Sequence, residues 1–258
     1  MPDSSGLTIE GGGNLSIKLS STEHYGIGND LSSKHGTIIF NQDGEIHIEA
    51  NGQKGVIIGS GLGGTISVNK GKYVLHTNGE MYVGIGSYEG NEILILHDCN
   101  IEMDMMLASG VGFGSVKGNT DIRIWNAAIT YHVGGSEVVA FGSLHGKHVT
   151  VRVHDAYINI SQNTQKSTCI GSLTGTSDFS IENASIHILA TGKETLAFGG
   201  YNDNVRLNLI NSNISVSVKT TLNKDTMAKE ENIRIINSTY QGIINGKESN
   251  REGIDMNF

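Results

Sequence analysis

Proline is almost missing from this 258-residue chain: the only one is Pro2. From Thr8 onward nothing removes a backbone donor, so every later segment is free to join an unbroken ladder. Cysteine occurs twice. Cys99 and Cys169 fall at different points of the repeat described below, so a bridge between them demands an improbable geometry, and two free thiols are expected. No apolar run approaches the length of a membrane span, and no charged-then-apolar leader follows Met1, so neither membrane insertion nor a secretion signal is read here. Basic residues are few, 18 against 26 acidic for a formal charge of −8. That balance argues against a nucleic acid or an anionic bilayer as the main partner. The nucleophile elbow GxSxG and the zinc helix HExxH are absent. "GIGSYEG" (84–90) has the glycines of a nucleotide loop without a helix after it, so phosphate binding is not read from it.

What the chain does have is glycine, 35 residues of it, and a five-residue phrase repeated six times. "VIIGS", "VGIGS", "VGFGS", "VAFGS", "TCIGS" and "LAFGG" are centred on Ile58, Ile85, Phe113, Phe141, Ile170 and Phe198, 27 to 29 residues apart. Set in register, each repeat holds three alternating runs, as in "IRI", "AITY" and "VAFGS" of the repeat 121–148. Alternation with period two between short polar loops marks a strand with one buried face. A triplet of such strands repeated at this spacing predicts an all-β, single-stranded, right-handed parallel β-helix (β-solenoid) of about nine turns of about 28 residues, each burying its inner face on its neighbours.

The expected inward columns stay apolar from turn to turn. One runs Ile66, Leu94, Ile122, Val151, Phe179, Leu207, Ile233; a second runs Val68 to Ile235; a third runs Tyr73, Ile101, Ile129, Ile158, Ile186, Ile214, Tyr240. Ile58 to Phe198 form the fourth, and a serine follows two residues later in most repeats. Between the first two runs stands the column Asp98, Asn126, Asp155, Asn183, Asn211, Asn237, of residues that tolerate the left-handed backbone of a tight corner. On this Asx column the chain resembles the right-handed parallel β-helix proteins typified by pectate lyases. In its phrase it also resembles the glycine-rich "IGSG" repeat proteins of bacterial surfaces, for which carbohydrate binding is the implied role. The sequons at Asn183 and Asn237 are read as by-products of this ladder.

The whole chain, 1–258, is read as one β-helix domain. Residues 1–6 are taken as a leader or an expression remnant, and 224–258 as an atypical last turn with a cap, of which the polar segment 224–232 is the cover. No matching N-terminal cap is seen, which hints at a preceding domain. On the strand before each "GS", the column Gly26, Ile57, Gly84, Gly112, Ala140, Cys169, Ala197 is expected to face outward. That would leave a smooth Gly/Ala strip covered by self-association or by a neighbouring domain.

Two outward clusters carry chemistry. Glu49, His76, Asp104 and His132 stack in successive turns about 4.8 Å apart, a spacing at which His76, Asp104 and His132 could share a divalent metal; otherwise no cofactor is expected. Near the Asx corner, Trp125 lies between His97 and His154, beside Arg123 and Arg152. Ring faces suit sugars, and guanidinium forks suit hydroxyls or carboxylates, so an acidic glycan is expected there. The function read from this is a non-catalytic carbohydrate-binding or adhesive module of a larger bacterial protein, extracellular or at the cell surface. A polysaccharide lyase or hydrolase, or a ligand-sensing scaffold of a cytoplasmic regulator, is the alternative.

Overall fold

A computed structural model describes residues 5–201, 204–244 and 247–252, with residues 230, 244 and 247–252 described through their backbone alone. The chain is an all-β parallel solenoid of about eight turns, and its one helical element among the described residues is the 3-10 turn Glu230–Asn232. One sheet stacks nine short strands in chain order: Gly6–Gly11, Gly36–Gln42, Gly64–Val68, Glu92–His97, Thr120–Trp125, His148–His154, Thr176–Glu182, Val205–Ile210 and Ile233–Ile236. The other stacks twelve, including the long strands Glu45–Ser60, Gly71–Ser87, Cys99–Ser115, Ala128–Ser143 and Tyr157–Ser172. The stacked strands pair in parallel one turn apart, so Ile122 lies between Leu94 and Val151, and Ile129 between Ile101 and Ile158, while the terminal strand Lys247–Glu252 pairs antiparallel with Thr239–Ile244.

The four expected columns are inward and form one continuous core. Phe113 and Phe141 stack face to face within it, ring centroids 4.5 Å apart and planes 3° from parallel. The six Asx residues have φ between +46° and +51°, the left-handed conformation expected of them. Asn126 Nδ2 donates to Asp98 Oδ1 of the preceding turn. Both cysteines are free and buried.

Three features differ from the expectation. First, the second and third runs are joined in the central turns into single bent strands of 16 or 17 residues. Between the strands Ala128–Ser143 and Tyr157–Ser172 the register continues past the bend, from Gly135 opposite Thr164 to Glu137 opposite Lys166. The backbone ladder spans the bend that alternation alone reads as a break.

Second, the Gly/Ala strip is inside. Ile57, Ala140, Cys169 and Ala197 belong to the main core, and a Cβ at Gly112 would come within 2.7 Å of the Tyr131 ring. The strip therefore offers no surface to a second chain. Two consecutive positions, Ala140 and Phe141, both turn inward as the chain approaches Gly142, whose φ is +138°. The outward position is the first of each phrase: Val56, Val83, Val111 and Val139. These valines are buried beneath the residue that follows each serine or glycine, Tyr88, Val116, Leu144, Leu173 and partly Tyr201, in a second hydrophobic cluster outside the solenoid. The covering loops are pinned by the serines. Ser143 Oγ accepts from Gly146 N at 2.8 Å, Ser172 Oγ from Gly175 N at 2.8 Å and Ser115 Oγ from Gly118 N at 2.9 Å.

Third, the ends shorten the stack from about nine turns to about eight. After Lys219, among the described residues, the chain forms no further third strand, and the segment 224–232 occupies that place. Its Asp225 carbonyl accepts from Ala197 N and Phe198 N, and its N–H donates to Ile243 O. The Asp225 carboxylate accepts from Tyr240 OH at 3.1 Å and from Ile243 N, and burial lifts it to about 6. At the other end the strand Gly6–Gly11 already begins where a leader was expected, and residues 1–4 of that leader lie outside the described residues. The inward Leu7, Ile9, Ile17 and Leu19 of this first turn are only partly buried.

Candidate functional site

The short-strand sheet turns its outer face away from the core, and alternation places Asp121, Arg123 and Trp125 together on it. The ladder sets Trp125 directly between His97 and His154, and Arg123 between Ile95 and Arg152. All five residues expected to bind a ligand thus share one surface. Their electrostatics are not those expected. Arg123 donates to both Asp121 oxygens, from Nη2 at 2.7 Å and from Nε at 3.2 and 3.3 Å, and Arg152 Nη1 donates to Asp121 Oδ1 at 2.8 Å. One carboxylate thus holds both guanidinium groups. Its signal was its place two residues before Arg123, on the same face of the strand. His97 and His154 lean onto the corner, with Nδ1 3.3 Å from Asp98 and 2.8 Å from Asp155 respectively. Trp125 is half-buried, and among the described residues no ring or cation–π contact involves it.

Immediately past Trp125 the corner opens into a groove of about 1310 Å³ that follows the stack. Its floor is made of the small residues after each Asx, such as Ala127, Ala156 and Ala184, and its polar margin is the Asx column itself. On the far margin stands Tyr157, 46 % exposed. The groove exists because the left-handed Asx turns the chain sharply, and a residue no larger than alanine or cysteine fits next inside the bend.

The second expected cluster is assembled in register, with Glu49 opposite His76, His76 opposite Asp104, and Asp104 opposite His132. His76 Nδ1 lies 3.2 Å from Asp104 Oδ2, but Glu49 turns to Lys18 at 3.0 Å and His47 at 3.4 Å. The Lys18 ammonium holds the Glu49 carboxyl below its usual range. Among the described residues no group of three His, Cys, Asp or Glu side chains is placed to hold a metal, so His132 does not complete a set with His76 and Asp104. A flat column brings neighbours such as His76 and Asp104 together as a pair but does not wrap a third side chain around the same point.

One constellation was not foreseen. Ser60 Oγ, His35 and Glu92 are aligned in the interior, His35 Nδ1 2.8 Å from Ser60 Oγ and Nε2 3.3 Å from Glu92 Oε1. The order is that of a nucleophile, a base and an orienting acid, yet all three are at most 1 % exposed, and no substrate reaches them. The clue was Glu92, a carboxylate in a column otherwise filled by Gly64, Thr120 and Val149. No family model, curated protein or solved structure matches this chain significantly.

Proposed function

We propose that the chain is a non-catalytic carbohydrate-binding or adhesive module, working outside the cell or at its surface as part of a larger bacterial protein. The observation that carries this reading is the groove along the Asx corner, with Trp125 beside one margin and the exposed Tyr157 on the other. An amphipathic ring beyond the Asx margin and another at the far margin, with the amides and carboxylates of the Asx column between them, offer stacking faces and hydroxyl partners together, which is what a sugar chain needs. The period favours a polymer. Successive Asx residues are one turn apart, about 4.8 Å, so a glycan lying along the groove meets the same partners at each step.

The charge pattern narrows the ligand. With Asp121 already engaging Arg123 and Arg152, and Asp98 and Asp155 on the groove margin, a polyanionic glycan gains little, and neutral chains are favoured. Binding then depends weakly on salt and gains from several weak contacts in a row. Neither carboxylate of the Glu49–Asp104 ladder is free to serve a lyase or hydrolase, because each already faces a cation or an imidazole of the same ladder.

A glycan array, run with an unsaturated-product and reducing-sugar assay on the same protein, tests the reading. Retention of a neutral polysaccharide without cleavage is expected. Trp125→Ala and Tyr157→Ala should each weaken it at least tenfold while changing stability by less than about 1 kcal/mol, as surface substitutions do. Unchanged retention in both variants, or turnover of the polymer, overturns the assignment.

A further inference from the structure

Among the described residues eight buried side-chain polar atoms lack a hydrogen-bond partner, and three of them meet at one place: Nε2 of His35 and the two carboxylate oxygens of Glu92. His35 is 0 % and Glu92 1 % exposed. The two come from turns two rungs apart, and Gly64 lies between them, paired with Gly36 on one side and Glu92 on the other. A Cβ at Gly64 would stand 2.7 Å from Cδ2 and Nε2 of His35, so only glycine leaves the passage through which the imidazole reaches Glu92. In later turns the same column holds Val149, Ser177 and Val205, all buried. Glu92 is therefore a carboxyl set at a core position, with one ionisable neighbour.

We propose that the His35–Glu92 pair is a proton-linked latch: one proton held between Nε2 and Oε1 fastens residues 29–35 onto the turns beyond, and withdrawal of that proton as pH rises loosens them. A single proton makes the contact a donor–acceptor pair. Without it a buried carboxylate faces an imidazole with no compensating charge, which is strongly disfavoured. Burial raises the Glu92 carboxyl above its ordinary range, an effect that His35 and the Ser87 hydroxyl partly oppose. The other groups facing the pair are the hydroxyls of Ser60 and Ser87. The neighbouring surface charges Asp30, Glu89 and Lys117 are turned elsewhere, Asp30 to Ser32 and Glu89 to Lys117, and His35 is the ionisable side chain that acts on Glu92.

The same segment meets the next turn through the His35 Nδ1–Ser60 Oγ contact at 2.8 Å and through backbone bonds that include Asn29 N to Gly59 O at 2.9 Å, Gly61 N to Asp30 O at 2.9 Å, Leu62 N to Ser33 O at 3.0 Å and His35 N to Gly63 O at 3.3 Å. Leu31 and Leu62, carried by these two loops, line with Tyr88 and Val116 a groove of about 940 Å³ that also carries charged residues such as Glu23, Lys54 and Glu137. Opening the latch therefore changes access to that groove while leaving the remaining turns in place.

Because the closed pair keeps one proton, its stabilisation falls as pH rises wherever the opened segment has already released that proton. Amide hydrogen exchange on the whole chain from pH 5 to pH 8, corrected for intrinsic chemistry, reads this locally. Protection at Gly61 and Leu62 should fall by up to about tenfold per pH unit relative to Leu94 and Ile122, and Glu92→Gln should remove the difference. Carboxyl NMR of wild-type protein labelled in glutamate reads it without a variant: one resonance should titrate above the ordinary glutamate range, and His35→Gln should shift that midpoint. Parallel pH dependence at all four amides, or glutamate resonances that all titrate in the ordinary range, overturns the latch.

Discussion

Each turn of this solenoid has two kinds of corner, built by opposite means. At one, an Asx residue adopts φ near +50°, a small residue follows, and the bend is left open as a polar groove. At the other, a glycine adopts φ between +131° and +143° in five successive turns, from Gly59 to Gly171, a buried serine follows, and the next loop folds back as an apolar cover. The difference lies in where the side chains can go. An Asx side chain satisfies the corner from outside and needs no lid. A glycine corner satisfies nothing, so serine hydroxyls and a second hydrophobic layer must complete it. Open and sealed corners thus leave a polar groove uncovered on one side of each turn and a second apolar layer covered on the other.

The sharpest way to break the comparison is to put a methyl group at the sealed corner. A Cβ on Gly142 would lie 2.0 Å from the carbonyl oxygen of Gly171, a backbone atom that cannot move aside, and its φ of +138° already suits no other residue. Gly142→Ala should lose more than about 4 kcal/mol or fail to fold, judged by the urea midpoint. Gly134→Ala is the control, because its Cβ would meet only the sulfur end of Met106, which is 61 % exposed and can swing away. It should stay within about 1 kcal/mol of wild type. Equal midpoints for the two variants would refute the account of the corner.

The next largest effect separates the two apolar layers. Phe141→Ala removes a ring stacked on Phe113 in the main core and should cost roughly 3–5 kcal/mol. Leu144→Ala removes part of the outer cover and should cost about 2–4 kcal/mol, since Leu144 is 0 % exposed. A cost near zero for Leu144→Ala would mean that the outer layer is not a core.

What the sequence made legible, and what it hid, follows the same division. The inner columns and the Asx corner were readable because period-two alternation and a left-handed residue type recur in register. The sealed corner was misread because alternation fails there: Ala140 and Phe141 are both inward, and counting in twos sends the wrong residue outside. The correcting signal was in the phrase itself, in its leading valine and in the Tyr88, Val116, Leu144, Leu173 and Tyr201 that follow it. The Trp125 surface was legible as geometry. Its charge was not, because the reading of Arg123 and Arg152 omitted Asp121 from the same face.

A pH scan sharpens the comparison at the C-terminal end, where the sealed side is finished by Asp225. Its carboxyl is raised to about 6 by burial, above the unfolded value of about 3.9. The folded state then holds a proton that the unfolded state has released, and stability falls as pH rises from about 4 through about 6. Asp225→Asn should flatten the urea midpoint across that window. A wild-type midpoint that rises from pH 4 to 7, with the same rise in the variant, would show that Asp225 does not govern the cap.

The smallest effect belongs to the open corner, where substitution should be tolerated. At Asn126 the backbone φ is +47°, and the side chain donates to Asp98. Asn126→Ala keeps neither advantage: an ordinary residue in the left-handed region costs about 1–2 kcal/mol. Asn126→Gly restores the conformation without the hydrogen bond, which is worth about 0.5–1.5 kcal/mol net. The glycine variant should therefore be no less stable than the alanine variant, and both should unfold far later than Gly142→Ala. Because the corner carries no lid, neither change should alter the outer apolar layer, so Tyr88 fluorescence and the exchange of the Val139 amide should match wild type. If Asn126→Gly proves less stable than Asn126→Ala, the left-handed turn is not what limits residue choice at this corner.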